Sequence, residues 1–452
     1  MLTRMGKTRT GKPEGCVSRG LLWMNRLSSK LQIPSSKEAP SSKSQGDVAS
    51  SGSSSSEAGR FQAPNRGRWE LGVWSFFGIW SLGFGVFASL VPLARAQPAP
   101  LPPELAIPGL PTLSPWDTVF TFQSSAGYKD NVSLSAVRPS GSAFVRNQLE
   151  AIVFRLPMDG WEFNAFVSGE DTRFLASQVV DVEQNALAHA QLKRAWDEHW
   201  STSLAGQYLY QNQVVDLSTS LATPTVLAVE SHTYSARFAV RRKFAERWWW
   251  ELEPTLTRQD FNSPLDDYWE GGPKLSVGRE YGSRSEAAVS YELSHRPYDH
   301  REQFTRAAIA IPGSELAFTQ HRAQLTWKHH WDEQRRWRTT AKLGYESSHD
   351  NGPGYYDFSK WQVSQQIRWS AAPWEVSLAG RFADYHYPRQ PVAPGDPRAI
   401  GRTDFSLNLH VERTLNKRVK WFLDYDFERS LANQPATGYA VNLVQSGLSV
   451  EF

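Results

Sequence analysis

Asp424 and Asp426 stand two residues apart in an alternating stretch, so on a strand their carboxyls share one face. Paired carboxylates are the material of general acid–base hydrolysis, one group protonated and the other ionised. No matching histidine stands close by in sequence to work with them. His329 and His330, with His321 eight residues earlier, supply imidazoles of the kind that bind metals. Neighbours on a strand point to opposite faces, so His329 and His330 cannot grip one ion as facing ligands, and interfacial or inward-facing histidines are expected instead. The chain has no Gly-Lys-Ser/Thr phosphate loop, dinucleotide fingerprint, His-Glu-x-x-His or Gly-x-Ser-x-Gly. The one cysteine, Cys16, lies in a part expected to be removed, which leaves no thiol chemistry and no disulfide framework. The expectation is a non-enzymatic protein without cofactor or metal.

One run needs weighing as a hydrolase. Ser347, Ser348, His349, Asp350, Asn351 and Gly352 faintly resemble the His-x-Ser-Asn-Gly element of outer-membrane phospholipase A. Here Asp350 and Asn351 follow His349, with no serine two residues on to act as nucleophile. Asn351, Gly352, Pro353 and Gly354 are turn-formers, and a plain loop accounts for them.

The elements that carry these residues have a two-residue period. Val419, Trp421, Leu423, Tyr425 and Phe427 alternate with Lys420, Phe422, Asp424, Asp426 and Glu428, one face apolar and the other nearly all charged. Such runs reach about 10 residues, the length that crosses a bilayer at a tilt and longer than an ordinary soluble strand. About sixteen of them fit between 116 and 452, with fourteen or eighteen also compatible. The fold class is all-β, a transmembrane antiparallel up-and-down barrel, with a soluble up-and-down barrel as the competing reading.

Connections alternate in length. Tight turns are expected at Pro157 to Asp159, Asp197 to His199, Ala245 to Arg247, Tyr281 to Ser283, Trp331 to Arg335, Ser370 to Pro373 and Leu415 to Lys417. Long loops are expected at Lys129 to Ala143, Gly169 to Glu183, Val214 to Glu230, Asp299 to Glu315 and Pro388 to Gly401. Membrane barrels have short periplasmic turns and long outer loops. Trp196 and Trp200, Phe244 and Trp248, Trp331 and Trp337, and Trp369 and Trp374 bracket four of the short turns, as an aromatic girdle at a membrane interface does.

With the apolar face given to lipid, the other face supplies the candidate lumen residues. These are Arg237, Arg241, Lys243, Glu251 and Glu253, then a basic wall of Arg322, Lys328, Arg338, Lys342, Arg368 and Arg381, and an acidic wall of Asp404, Glu412, Asp424, Asp426 and Glu428. Opposed walls of unlike sign would set a field across the pore; the alternative is that the charges neutralise one another along the ladder.

Composition and the amino-terminal region agree. The chain has 452 residues, 13% aromatic with 19 Trp, and 49 basic against 46 acidic residues, so no polyanionic partner such as nucleic acid is implied. Residues 1–65 are too rich in Ser, Lys, Arg and Gly to fold and read as a disordered leader or a misplaced start. Residues 66–96 hold a basic region, an apolar run from Leu71 to Leu93 and a small-x-small site at Ala94 and Ala96, the layout of a secretory signal cleaved near Ala96, with a membrane anchor as the competitor. Residues 97–115 are a Pro-rich periplasmic lead-in, and 116–452 the barrel.

Gly127, Tyr128, Lys129, Asp130, Asn131 and Val132 resemble the Gly-Tyr-x-Asp-Asn-Val signature that opens many outer-membrane β-barrel porins of Gram-negative bacteria. Those proteins also tend to end in phenylalanine, as Phe452 does here. The resemblance implies an outer-membrane location, contact with membrane lipid, recognition of the last strand by the barrel-assembly machinery, and passage of small solutes. A homo-oligomer is compatible with it, and it transfers no catalytic residue. The leading expectation is a porin-like channel for small hydrophilic solutes. The alternatives are an accessory barrel for exopolysaccharide or surface-protein export, and an outer-membrane hydrolase.

Overall fold

A computed structural model of the chain describes residues 115–452, apart from 178–179, 217–225, 263–264, 283, 393–395, 397 and 435–436. The expected leader, signal and nearly all of the lead-in lie outside the described residues.

Sixteen strands follow in order: β1 (Trp116–Lys129), β2 (Ser142–Met158), β3 (Trp161–Phe174), β4 (Val182–Ala195), β5 (Trp200–Asp216), β6 (Val226–Ala245), β7 (Trp248–Phe261), β8 (Tyr268–Tyr281), β9 (Ser285–Pro297), β10 (Ala317–His330), β11 (Trp337–Asp350), β12 (Phe358–Ala371), β13 (Trp374–Pro391), β14 (Ala399–Thr414), β15 (Val419–Ala432) and β16 (Tyr439–Glu451). Each pairs antiparallel with its sequence neighbours, and β1 pairs with β16, so the sheet closes into a barrel with no free edge. Closure gives every strand a hydrogen-bonded neighbour on both sides, which a sheet in hydrocarbon requires.

Long and short connections alternate as the sequence predicts, with corrections at their ends. The β2–β3 turn is Asp159 and Gly160, one position later than expected, and both residues have positive φ (57° and 74°). That conformation suits a two-residue hairpin and explains an Asp-Gly pair there. The expected loop from Gly169 to Glu183 shrinks, because β3 continues to Phe174 with Glu170 paired to Asn185 and Thr172 to Glu183. β5, β6 and β13 likewise extend into the expected loops, β5 to Asp216, β6 from Val226 and β13 to Pro391. Ladder pairing does not stop where apolar residues stop, so alternating hydrophobicity marks only the middle of each strand.

Two prolines sit in the wall. Pro254 of β7 and Pro273 of β8 are register partners. On their far sides the β6–β7 register skips from Arg237↔Thr255 to Val240↔Leu252, and the β8–β9 register skips from Gly271↔His295 to Lys274↔Glu292. A proline has no N–H to give a ladder, so the gaps fall on the sides where those donors are missing.

Candidate functional site

The strands segregate their two faces. On β6 the exposed Tyr234 and Phe238 alternate with Arg237, Arg241 and Lys243; on β7 the exposed Leu252 and Leu256 alternate with Glu251 and Glu253. Leu325, Leu343 and Tyr345 are exposed between Arg322, Lys328, Arg338 and Lys342, and Trp361, Val363, Leu378 and Phe382 between Arg368 and Arg381. Phe405 and Leu431 mark the same exposed face on β14 and β15, whose opposite face carries Asp404, Glu412, Asp424, Asp426 and Glu428.

Register then decides which charges meet. Glu270 of β8 takes two hydrogen bonds from Arg296 (3.0 and 2.7 Å) and one from Ser294 (2.9 Å), and Arg322 stands 3.2 Å away. Arg322 also reaches Glu292 at 2.8 Å and Glu346 at 3.5 Å, and Glu346 pairs in turn with Lys360. Lys328 pairs with Glu286 (3.3 Å), Arg368 with Glu375 (2.6 Å), and Arg241 with Glu251 (3.9 Å) and Glu280 (3.6 Å). Glu253 receives Lys274 at 3.4 Å. The expected basic wall is therefore laced with glutamates from β8, β9, β11 and β13 that hydrophobic patterning alone did not single out.

The acidic side is paired too. Arg402 meets Asp404 at 2.5 Å, His410 meets Asp424 at 2.5 Å, and Lys420 meets Glu412 at 2.9 Å. Asp426 accepts from the Asn408 amide, and Glu428 accepts from the Tyr439 hydroxyl at 2.5 Å. Asp424, held by His410 and by Gln445 at 2.9 Å, is a structural acceptor rather than half of a free acid–base pair. Four expected cations, Arg237, Lys243, Lys342 and Arg381, make no ion pair among the described residues, although Arg381 donates to Gln362 at 3.2 Å.

The two walls do not oppose one another. β13 is hydrogen-bonded to β14, so the basic strip on β10–β13 runs directly into the acidic strip on β14–β15. Adjacent and largely paired strips do not set the field straight across the barrel that opposed walls would.

The same face is apolar at the long-loop end. Phe144 and Phe174 pack with Leu443 of β16 and with Val132 of the 130–141 loop; Phe144 alternates with the exposed Val145. Tyr268, Tyr298 and Phe318 gather around Leu316 of the 298–316 loop, where the Arg301 guanidinium lies 5.1 Å from the Tyr298 ring and 4.6 Å from that of Tyr356. Ala383, Tyr385, Tyr387 and Ile400 enclose Val392 of the 392–398 loop. Val132, Leu316 and Val392, each at or close to a strand end, are therefore buried on the charged-face side at that end of the barrel. Sequence reasoning missed these clusters because it gave every apolar residue to the outer face.

The remaining candidates resolve locally. His329 stacks on Trp327 (5.3 Å) and Tyr281 (5.9 Å) and meets Trp331 edge-on, while the backbone N–H of His330 donates to Ser285. The Asp350 carboxylate accepts from the backbone N–H of Gly352, Gly354 and Tyr356, a side-chain-bound loop. Ser347 Oγ lies 2.9 Å from His349 Nε2, and His349 Nδ1 is 3.7 Å from Asp357, beyond hydrogen-bond reach. Asp130 and Asn131 of the signature-like stretch bind β16: Asp130 accepts from the backbone and side chain of Asn442, and Asn131 donates to the Ala440 carbonyl.

No protein-family model and no curated protein matches the chain. Solved structures do resemble it. OccAB4 of Acinetobacter baumannii is 9% identical, with 74% of this chain and 98% of that one covered at a TM-score of 0.40. An anion-selective porin from Comamonas acidovorans is 10% identical, with 75% and 99% covered at 0.40. A bacterial polysaccharide outer membrane secretin is 13% identical, with 74% and 98% covered at 0.38. At such identities no side chain of the charged face carries over from them.

Proposed function

We infer that the protein is a membrane-embedded β-barrel of the outer membrane, a non-enzymatic porin-like channel for small hydrophilic solutes. The observation that carries this reading is the separation of faces on a closed sheet. Leu204, Phe238, Leu256, Leu275, Val289, Trp361 and Val363 stand 46% to 58% exposed around the outside. Leaving one such side chain in water forgoes about 1.5–3 kcal/mol, so a whole band calls for an apolar surrounding.

The charged face then borders an enclosed interior, and the sequence candidates from Arg237 to Glu428 are its lumenal residues. Sixteen strands enclose an aqueous channel in the porin class. The side chains gathered around Val132, Leu316 and Val392 narrow the long-loop end, so passage is limited there, and the charged ladder below sorts ions by the residues left without a partner of opposite sign. The stretch from Gly127 to Val132 and the terminal Phe452 support placing the chain among Gram-negative outer-membrane barrels, with the last strand as the part read by the assembly machinery.

Planar-bilayer recording of the purified protein tests the channel. Stepwise conductance with weak ion selectivity is expected, and a protein that inserts without conducting overturns it. Reproducible co-purification with a polymer-secretion complex, without solute-permeable liposomes, would favour export instead.

A further inference from the structure

A repeated pair of residues rings the short-turn end. Trp116, Trp161, Trp200, Trp248 and Trp374 each open an odd-numbered strand. Their register partners on the following strand are Arg155, Arg194, Arg242, Arg279 and Arg413. The pattern recurs on four consecutive hairpins from β1 to β8 and once more at β13–β14, so the guanidinium groups are concentrated on one half of the rim.

Four of the arginines lie over the ring. Arg194 is 4.8 Å from the Trp161 ring and 4.0 Å from Trp196; Arg242 is 4.9 Å from Trp200, Arg279 5.4 Å from Trp248, and Arg413 5.1 Å from Trp374. They share the outer face with Leu192, Phe238, Val277 and Leu409, two or four residues away along each strand. Arg242, Arg279 and Arg413 are exposed, and none of the four makes an ion pair with a carboxylate among the described residues. Arg155, by contrast, is taken up by the Trp161 carbonyl and Asp159.

An indole under a guanidinium holds the fork flat while leaving its N–H edge to a further acceptor. Four such forks at the border of an apolar band present bidentate donors at headgroup depth. We propose that Arg194, Arg242, Arg279 and Arg413 bind phosphate groups of anionic glycerophospholipids in the leaflet at the short-turn end, so that three sites along β4–β8 and a fourth on β14, across the barrel from them, hold selected lipid. The chemistry fits a phosphodiester, which offers two oxygens to one guanidinium, and a net-negative headgroup leaves that charge uncompensated by any amine.

This proposal rests on the membrane-barrel reading, and the two fail separately. The test is native mass spectrometry of the full chain in mild detergent, incubated with equal amounts of phosphatidylglycerol and phosphatidylcholine. Wild type is expected to retain phosphatidylglycerol preferentially, with retention falling roughly fivefold for each guanidinium removed in R194Q, R242Q, R279Q and R413Q, singly and combined. The combined Arg→Lys variant keeps charge without the planar fork and should fall between. Arg429→Gln, on the outer face near the other end, controls for net charge and should match wild type. Equal retention of both lipids by wild type, or retention unchanged in the combined Gln variant, overturns the proposal, as does capture of an acidic periplasmic protein at these arginines in place of lipid. Solubility without detergent would overturn the barrel reading itself, whereas a heat-modifiable, detergent-requiring barrel indifferent to lipid type overturns only this one.

Discussion

Asp130, at the start of the first long loop, accepts hydrogen bonds from both the backbone N–H and the side-chain amide of Asn442 on β16, each at 2.7 Å. The contact joins the first hairpin to the last strand where the barrel closes. It continues the β1–β16 ladder one position beyond Lys129↔Leu443.

Replacing that carboxylate should loosen the seam. Asp130→Ala removes two charge-assisted hydrogen bonds, so a loss of about 2–4 kcal/mol is expected. The midpoint of the heat-induced mobility shift on gel electrophoresis should drop in the variant. An unchanged midpoint would mean that the ladder alone closes the barrel.

Glu270 is the shared acceptor for Arg296 and Arg322. Glu270→Gln leaves two guanidinium groups facing one another with less compensation, and breaking a buried pair in this way typically costs about 3–5 kcal/mol. Urea unfolding in detergent should show that loss. The surviving channels should shift toward anions in reversal potential.

Lys342 and Arg381 lack an ion pair among the described residues, and Asp426 has a hydrogen bond but no ion pair there. Lys342→Gln and Arg381→Gln should each move selectivity toward cations, and Asp426→Asn toward anions, in a salt gradient across a bilayer. The paired Lys420→Gln should also disturb Glu412 and lower stability. Selectivity indifferent to Lys342, Arg381 and Asp426 together would remove the lumenal assignment.

Two short turns are held by aspartates. Asp197 is held below the ordinary 3.8 chiefly by the Trp200 and His199 N–H groups, and Asp332 chiefly by the Trp337 N–H. A folded-state value below the unfolded one stabilises above the unfolded value, and the contribution is lost as pH falls through the lower folded value. Carboxyl resonances of both residues should titrate below pH 3.8, and the turns should remain protease-resistant at pH 4 but open in stronger acid. Titration at or above 3.8 would show that these bonds do not form.

Ser347 and His349 touch, but Asp357 accepts the Asp350 N–H and stands 3.6 Å from Arg389, so it is not aligned to orient the imidazole. A fluorophosphonate probe should leave Ser347 unmodified at concentrations that label serine hydrolases. Covalent labelling lost in Ser347→Ala would make this an enzyme.

The alternation of side chains along each segment determined the strand type and the number near sixteen, because a two-residue period follows from backbone geometry. The alternating lengths of the connections determined which end carries the short turns, and the aromatic residues flanking those turns were visible directly. Three things waited for tertiary structure: the glutamates that neutralise Arg322, Lys328 and Arg368, the packing of Val132, Leu316 and Val392 on inward aromatics, and the tryptophan–arginine pairing at the rim. Each depends on register between strands, and register is set by the whole set of ladders closing at once; a slip of two residues keeps every side chain on its face while changing all of its neighbours.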